Sequence, residues 1–168
     1  MSDPNQKAIQ ISPNPNPANN VIQLDDGDDT TTYFNKESYV NNGRINVYRD
    51  FTHGEARLHP GPPPFDNYGL LVNYMGVMNL NSNFNILQGG QLVIDRGSLV
   101  NIAMMTVDST GGGSGIALAP LTIGRYTTFD NTGVVFIVTE MLNGGALSNV
   151  GGRIVTAANS LIDNSEFG

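Results

Sequence analysis

The sequence predicts an all-β protein: a short parallel β-helix of about five to six coils of roughly 21 residues, preceded by an extended N-terminal arm. Three observations predict it. First, the stretch from Gly69 to Phe167 restarts at glycines, Gly69, Gly90, Gly113, Gly133 and Gly152, at successive intervals of 21, 23, 20 and 19. Second, apolar residues inside each line recur mostly at a spacing of two, the strand period, and no long segment carries i, i+3, i+4 spacing. Third, segments match each other: GGQLVIDRGSLVN (Gly89 to Asn101) with GGRIVTAANSLID (Gly151 to Asp163), and FDNYGLLV from Phe65 with FDNTGVVF from Phe129.

A unit of this length cannot bury its apolar face alone and gains a core by stacking on its copies. The apolar residues form three columns. One follows the glycine (Leu71, Val72, Leu92, Ile94, Ile116, Leu118, Val135, Ile137, Ile154). The second lies further along each line (Met78, Leu80, Val100, Ile102, Leu121, Ile123, Met141, Ile162), and the third is less regular (Phe84, Ile86, Met105, Val107, Phe129, Leu147, Val150, Phe167). Three short strands per unit describe a triangular coil, with glycine at a corner that needs positive φ or close backbone approach. The Asn81-Ser82 and Asn159-Ser160 steps fit the other corners. The alternative is an antiparallel β-sandwich or jelly roll, which also has short strands and closely spaced turn signals.

The chain divides into an extended Asn/Pro-rich arm (1–20), an N-terminal β segment (21–68) and the repeat body (69–168). The run Ser12-Pro-Asn-Pro-Asn-Pro17 forbids helix. Val21 to Leu24 reads as a strand, and Asp25-Asp-Gly-Asp-Asp29 as an acidic turn; clustered carboxylates also suit calcium, but the EF-hand spacing is absent. Thr30 to Asn42 reads as one or two strands, and Gly43 opens an earlier coil. The interval from Gly43 to Gly69 is longer than the later ones and leaves room for an inserted proline loop, His59 to Pro64. Asp108 to Gly115 is glycine-rich but precedes a β-like run, so it reads as a corner and not a phosphate cradle. A stack that stops mid-coil near Asn164 leaves open N–H and C=O groups on its last rung, which a neighbour or the arm must cover.

With 168 residues the chain suits one domain, and the net charge of −7 disfavours nucleic acid and anionic membranes as partners. No cysteine is present, so there is neither a disulfide nor a thiolate metal site. MSDPNQKAIQ lacks the features of a secretory signal, which implies synthesis in the cytoplasm. His53 and His59, in HGEARLH with Glu55 and Arg57, could ligate a metal, but their spacing matches no zinc motif and the segment reads as an ordinary polar loop. A glycosidase-like carboxylate pair would be drawn from Asp66, Asp95, Asp130, Glu140 and Asp163. Asp95 and Asp163 occupy similar places in matched units, as repeated corner residues would. Tyr48, Tyr68, Tyr74 and Tyr126 are candidates for an exposed aromatic platform. No catalytic, cofactor-binding or metal residue is assigned from these patterns.

The GGxLVxxxxSLVN coil resembles the parallel β-helix segments of bacteriophage tailspikes and bacterial surface adhesins. The whole chain, with its Asn/Pro arm, acidic β-rich body and lack of cysteine, is similar to small structural proteins of tailed-phage virions, including capsid decoration (cement) proteins. That resemblance implies a non-enzymatic virion protein, made in the host cytoplasm, that binds capsid protein as a homo-oligomer, commonly a trimer, and reinforces the shell. A carbohydrate-binding or adhesive module of a tail fibre or cell surface is the competing expectation.

Overall fold

A computed structural model describes residues 7–55, 63–109 and 119–164. Among the described residues, twenty short strands wind through three parallel sheets, and no pairing is antiparallel. Sheet A holds β1 (Ala8–Gln10), β3 (Thr32–Asn35), β6 (Phe51–His53), β9 (Val77–Leu80), β12 (Ser98–Asn101), β15 (Thr128–Asn131) and β18 (Ala146–Ser148). Sheet B holds β4 (Tyr39–Asn41), β7 (Phe65–Asn67), β10 (Phe84–Ile86), β13 (Met104–Val107), β16 (Val134–Ile137) and β19 (Arg153–Thr156). Sheet C holds β2 (Val21–Leu24), β5 (Arg44–Val47), β8 (Leu70–Asn73), β11 (Gln91–Ile94), β14 (Leu121–Ile123), β17 (Glu140–Asn143) and β20 (Leu161–Asp163). From β3 onward the chain visits A, B and C in strict rotation, so it is a three-faced parallel β-helix.

Each strand pairs with its equivalent one rung away, at roughly 4.8 Å in such ladders. The inward side chains therefore form continuous columns. Sheet C stacks Ile22, Ile45, Leu71, Leu92, Leu121, Met141 and Ile162. Sheet B stacks Tyr39, Phe65, Phe84, Met105, Val135 and Ile154. Sheet A stacks Ile9, Tyr33, Phe51, Met78, Leu99, Phe129 and Leu147. The interior members are buried and form one core, in which the rings of Tyr39, Phe65 and Phe84 lie face to face at 4.8 and 4.9 Å. A smaller apolar cluster, Leu70, Val72 and Val93 with Tyr74 against it, lies on the outer face of sheet C.

The glycines sit on two corners, where the repeat pattern predicts one. Gly43, Gly69 and Gly90 precede strands of sheet C, whereas Gly133 and Gly152 precede strands of sheet B. The matched segments GGQLVIDRGSLVN and GGRIVTAANSLID are thus displaced by one face: the first spans β11 and β12, the second β19 and β20. Leu121 and Ile123, read into the second column, belong to sheet C beside Leu92 and Ile94. The coil from Leu92 to Leu121 is longer than those on either side of it, Leu71 to Leu92 and Leu121 to Met141, so an insertion in this coil accounts for the shift. The glycines are there for close approach. A Cβ at Gly69 would lie against the carbonyl oxygen of Gly43, and one at Gly133 against that of Ala103. Gly113 and the glycine-rich stretch around it lie outside the described residues, apart from Asp108 and Ser109.

The described part of the N-terminal arm is the first rung of the coil. β1 pairs with β3, and Asn16 forms a parallel bridge with Asn41 in place of a sheet B strand. The prolines lack donors, but the backbone N–H of Asn16 reaches Val40 O at 2.8 Å, and Asn42 N–H returns to Asn16 O at 3.0 Å. Tyr39 donates its hydroxyl to Pro13 O at 2.6 Å, and burial pushes that phenol up to about 12. The proline loop lies outside the described residues except for Pro63 and Pro64.

Candidate functional site

Two kinds of polar feature interrupt this frame: amide ladders inside the corners, and a cleft beside the acidic turn. Several strands end on an asparagine whose side chain turns into the corner. At the B-to-C corner the amide of Asn16 donates to Asn41 Oδ1 at 2.7 Å, and that of Asn41 to Asn67 Oδ1 at 2.7 Å. At the A-to-B corner Asn101 donates to Asn131 at 2.8 Å and Asn131 to Asn149 at 2.6 Å. All but the terminal Asn149 are buried. An in-register stack suits the carboxamide, because each copy presents one acceptor and two donors along the axis. The Asn-x-Gly steps at Asn41, Asn67 and Asn131 were the signal in the sequence, and the repeat reading used only their glycines.

His53 occupies the corner column between Asn35 and Leu80. Its Nδ1 accepts from Asn35 Nδ2 at 3.1 Å and its Nε2 donates to Pro63 O at 3.0 Å. Burial lowers its pKa from 6.5 to about 4, so the ring is a neutral structural member of the corner. His59 and Arg57 lie outside the described residues, and Glu55 is an exposed partner of Lys36 at 3.5 Å. As pH falls through 6.5 the unfolded chain takes up a proton at this site before the folded one does. Stability should therefore drop by about 3 kcal/mol between pH 6.5 and 4. Urea titrations across that window should show the drop in the native chain and a flat profile in His53→Asn.

The acidic turn follows β2. Its carboxylates fold back on the chain: Gly27 N–H donates to Asp25 Oδ1 at 3.0 Å, Asp28 N–H to Asp26 Oδ1 at 3.2 Å, and Thr30 N–H to Asp28 Oδ1 at 2.9 Å. Gly27 has φ 78°, which permits the tight reversal. Arg49 braces the turn from the next rung, with Nε 3.2 Å from Asp25 and Nη1 on Asp29; Lys7 meets Asp26 at 3.1 Å. The hydrogen bond from Thr31 is the main reason Asp26 titrates below its ordinary value, and the backbone bond from Thr30 does the same for Asp28. Among the described residues no three acidic or histidine side chains converge as metal ligands would.

Between this turn and the next rungs lies a cleft of about 380 Å³ bordered by Thr30, Tyr48, Arg49, Asp50 and Met75. Tyr48 and Tyr74, successive members of the C-to-A corner, stack at 4.8 Å with planes 10° apart, and Arg44 Nη2 donates to the Tyr74 hydroxyl at 2.9 Å. Met75 is 69 % exposed at the rim. Tyr126 and Tyr68 are exposed on other parts of the corners and do not join this pair. The carboxylates named from the sequence are spread over the prism. Asp66 on sheet B accepts from Asn85 at 2.8 Å, Asp130 is exposed on sheet A, and Asp95 is at a corner beside Arg96. Only Glu140 and Asp163, on β17 and β20, share a face.

No known protein family, no curated protein and no solved structure matches this chain.

Proposed function

We propose that this chain is a non-enzymatic structural protein of a virus particle that binds capsid protein side-on and reinforces the shell as an oligomer. The observation that carries the reading is an apolar band on the outer face of sheet B. Met104 pairs with Val134, and Phe136 with Val155, on the adjacent strands β13, β16 and β19. Met104 and Phe136 are 46 % and 37 % exposed. Grouped exposed apolar residues of this kind mark contact surfaces. The outer face of the neighbouring β15 and β18 carries Thr128, Asp130, Ala146 and Ser148 instead. The whole chain's resemblance to small structural proteins of tailed-phage virions supplies the setting, a virion assembled in the host cytoplasm. The test is co-sedimentation of the purified chain with empty shells of its virus. The chain should pellet with shells and raise their melting temperature, and Phe136→Asp should abolish both while leaving the free chain's circular dichroism unchanged. A native chain left in the supernatant would end the proposal.

The Tyr48–Tyr74 stack beside the cleft favours a second reading, a carbohydrate-binding module, because a flat ring with nearby Arg49 and Asp50 suits the apolar and polar sides of a sugar. A glycan array should then show hits that Tyr48→Ala removes; an array blank for the native chain eliminates this reading.

A further inference from the structure

The chain contains two Asn-Gly steps, Asn42-Gly43 and Asn143-Gly144. Such a step can react with itself. The backbone nitrogen of the glycine loses its proton, adds to the carboxamide carbon of the asparagine and expels ammonia. Water then opens the cyclic succinimide at either carbonyl, which gives aspartate or isoaspartate. Glycine favours the reaction because it has no Cβ to crowd the ring and leaves the backbone free to rotate into it. The reaction needs a carboxamide free to turn, a glycine N–H that is not held, and access for water.

Both steps lie at the end of a strand, β4 and β17, yet they differ on all three counts. Asn143 is 7 % exposed, and its Oδ1 accepts from Gly145 N–H at 3.3 Å. The Gly144 N–H, which would have to attack, donates to Ile123 O at 2.8 Å. Asn42 is exposed, and among the described residues neither its carboxamide nor the Gly43 N–H makes a hydrogen bond. It borders an open groove along the B-to-C corner, with Gly43, Gly69 and Gly89, where water has access. The corner also keeps the reactive neighbour in place. A Cβ on Gly43 would lie against the carbonyl oxygens of Asn20 and Pro17, so packing demands the glycine that makes Asn42 labile.

We propose that Asn42 is a site of spontaneous covalent modification, at which the folded chain converts its own carboxamide to aspartate and isoaspartate. The location gives the change a consequence. Asn42 N–H donates to Asn16 O at 3.0 Å, and Leu70 N–H donates to Gly43 O at 2.9 Å, so the rungs on both sides are tied to this one step. Isoaspartate routes the main chain through the side-chain carbon and inserts an extra atom between those two ties. Aspartate leaves the path unchanged and only adds a negative charge. The isoaspartyl product therefore loosens the seat of the N-terminal arm, and the aspartyl product does not. This site is independent of shell binding.

Incubation of the folded chain at mildly alkaline pH, followed by digestion and mass spectrometry, tests it. The Asn42 peptide should exchange its amide nitrogen for oxygen at least about tenfold faster than the Asn143 peptide, because reaction at Asn143 waits on the opening of a buried corner. In urea the two steps should react at similar rates. Asn42→Gln, whose longer side chain closes its ring less readily, should remove the fast site and leave the circular dichroism unchanged. In the isoaspartyl form, separated by chromatography, the Asn16 amide should exchange its hydrogen faster than in the native chain; in Asn42→Asp, which lacks the extra main-chain atom, it should not. Equal rates at the two steps in the folded chain, faster reaction at Asn143, or unchanged exchange at Asn16 in the isoaspartyl form would overturn the proposal.

Discussion

Replacing Phe65 by alanine should lower the unfolding free energy by about 3–5 kcal/mol, the range for truncating a large core aromatic. Phe65 is fully buried at the middle of a stack, face to face with Tyr39 and Phe84 and edge-on to Phe51 at 6.2 Å and His53 at 5.4 Å. The hole would be lined by rings held by strands on two neighbouring rungs, which limits collapse into it. Phe34 is the control: it lies on the outer face of sheet A, half-buried, with Lys36 over its ring. Phe34→Ala should cost less than about 1 kcal/mol. Urea midpoints with unchanged slopes would measure both. Equal losses for the two variants would contradict the placement of the core.

The second large effect is expected from a polar residue. Asn41→Ala should cost about 3 kcal/mol, although it deletes only a short side chain. It leaves the Asn16 amide without its Asn41 acceptor and Asn67 Oδ1 without its donor, both in a buried corner, and each orphaned group costs about 1–3 kcal/mol. The same column continues as Ile86, Val107 and Ile137, so the corner accepts apolar residues when its neighbours are apolar too. Asn41→Ala combined with Asn67→Ala should therefore cost less than the sum of the two single variants, which a double-mutant cycle would show. Strict additivity would mean that the amides do not act as a ladder.

The fold class was legible because its cause is local. Alternation such as Leu92 and Ile94, or Met78 and Leu80, can only come from strands, and a glycine pressed against a carbonyl of the rung below, as at Gly69, leaves its mark at each coil. The phase of the later coils was not legible, because all three corners are built from the same pieces. Phe65-Asp-Asn67 before Gly69 and Phe129-Asp-Asn131 before Gly133 are the same solution to a corner, used once between B and C and once between A and B. Local likeness then cannot say which corner is meant; only the pairing across the coil from Leu92 to Leu121 can. The proline run forbids helix and sets the arm apart in the sequence, yet the pairing of β1 with β3, one bridge at Asn16 and the Tyr39 hydroxyl seat it on the coil. At the candidate site, the bracing of Asp25 and Asp29 by Arg49 and the Tyr48–Tyr74 stack join residues about one coil apart in sequence, a distance set by the register and invisible in the residue types alone.

The short coil from Leu121 to Met141 and the long one from Leu92 to Leu121 both advance the stack by one strand width. The greater length of the second coil adds nothing along the axis. The molecule thus behaves as a ruler graduated in rungs and not in residues: lengthening a corner would leave its reach unchanged, whereas duplicating one whole turn would extend it by about 4.8 Å.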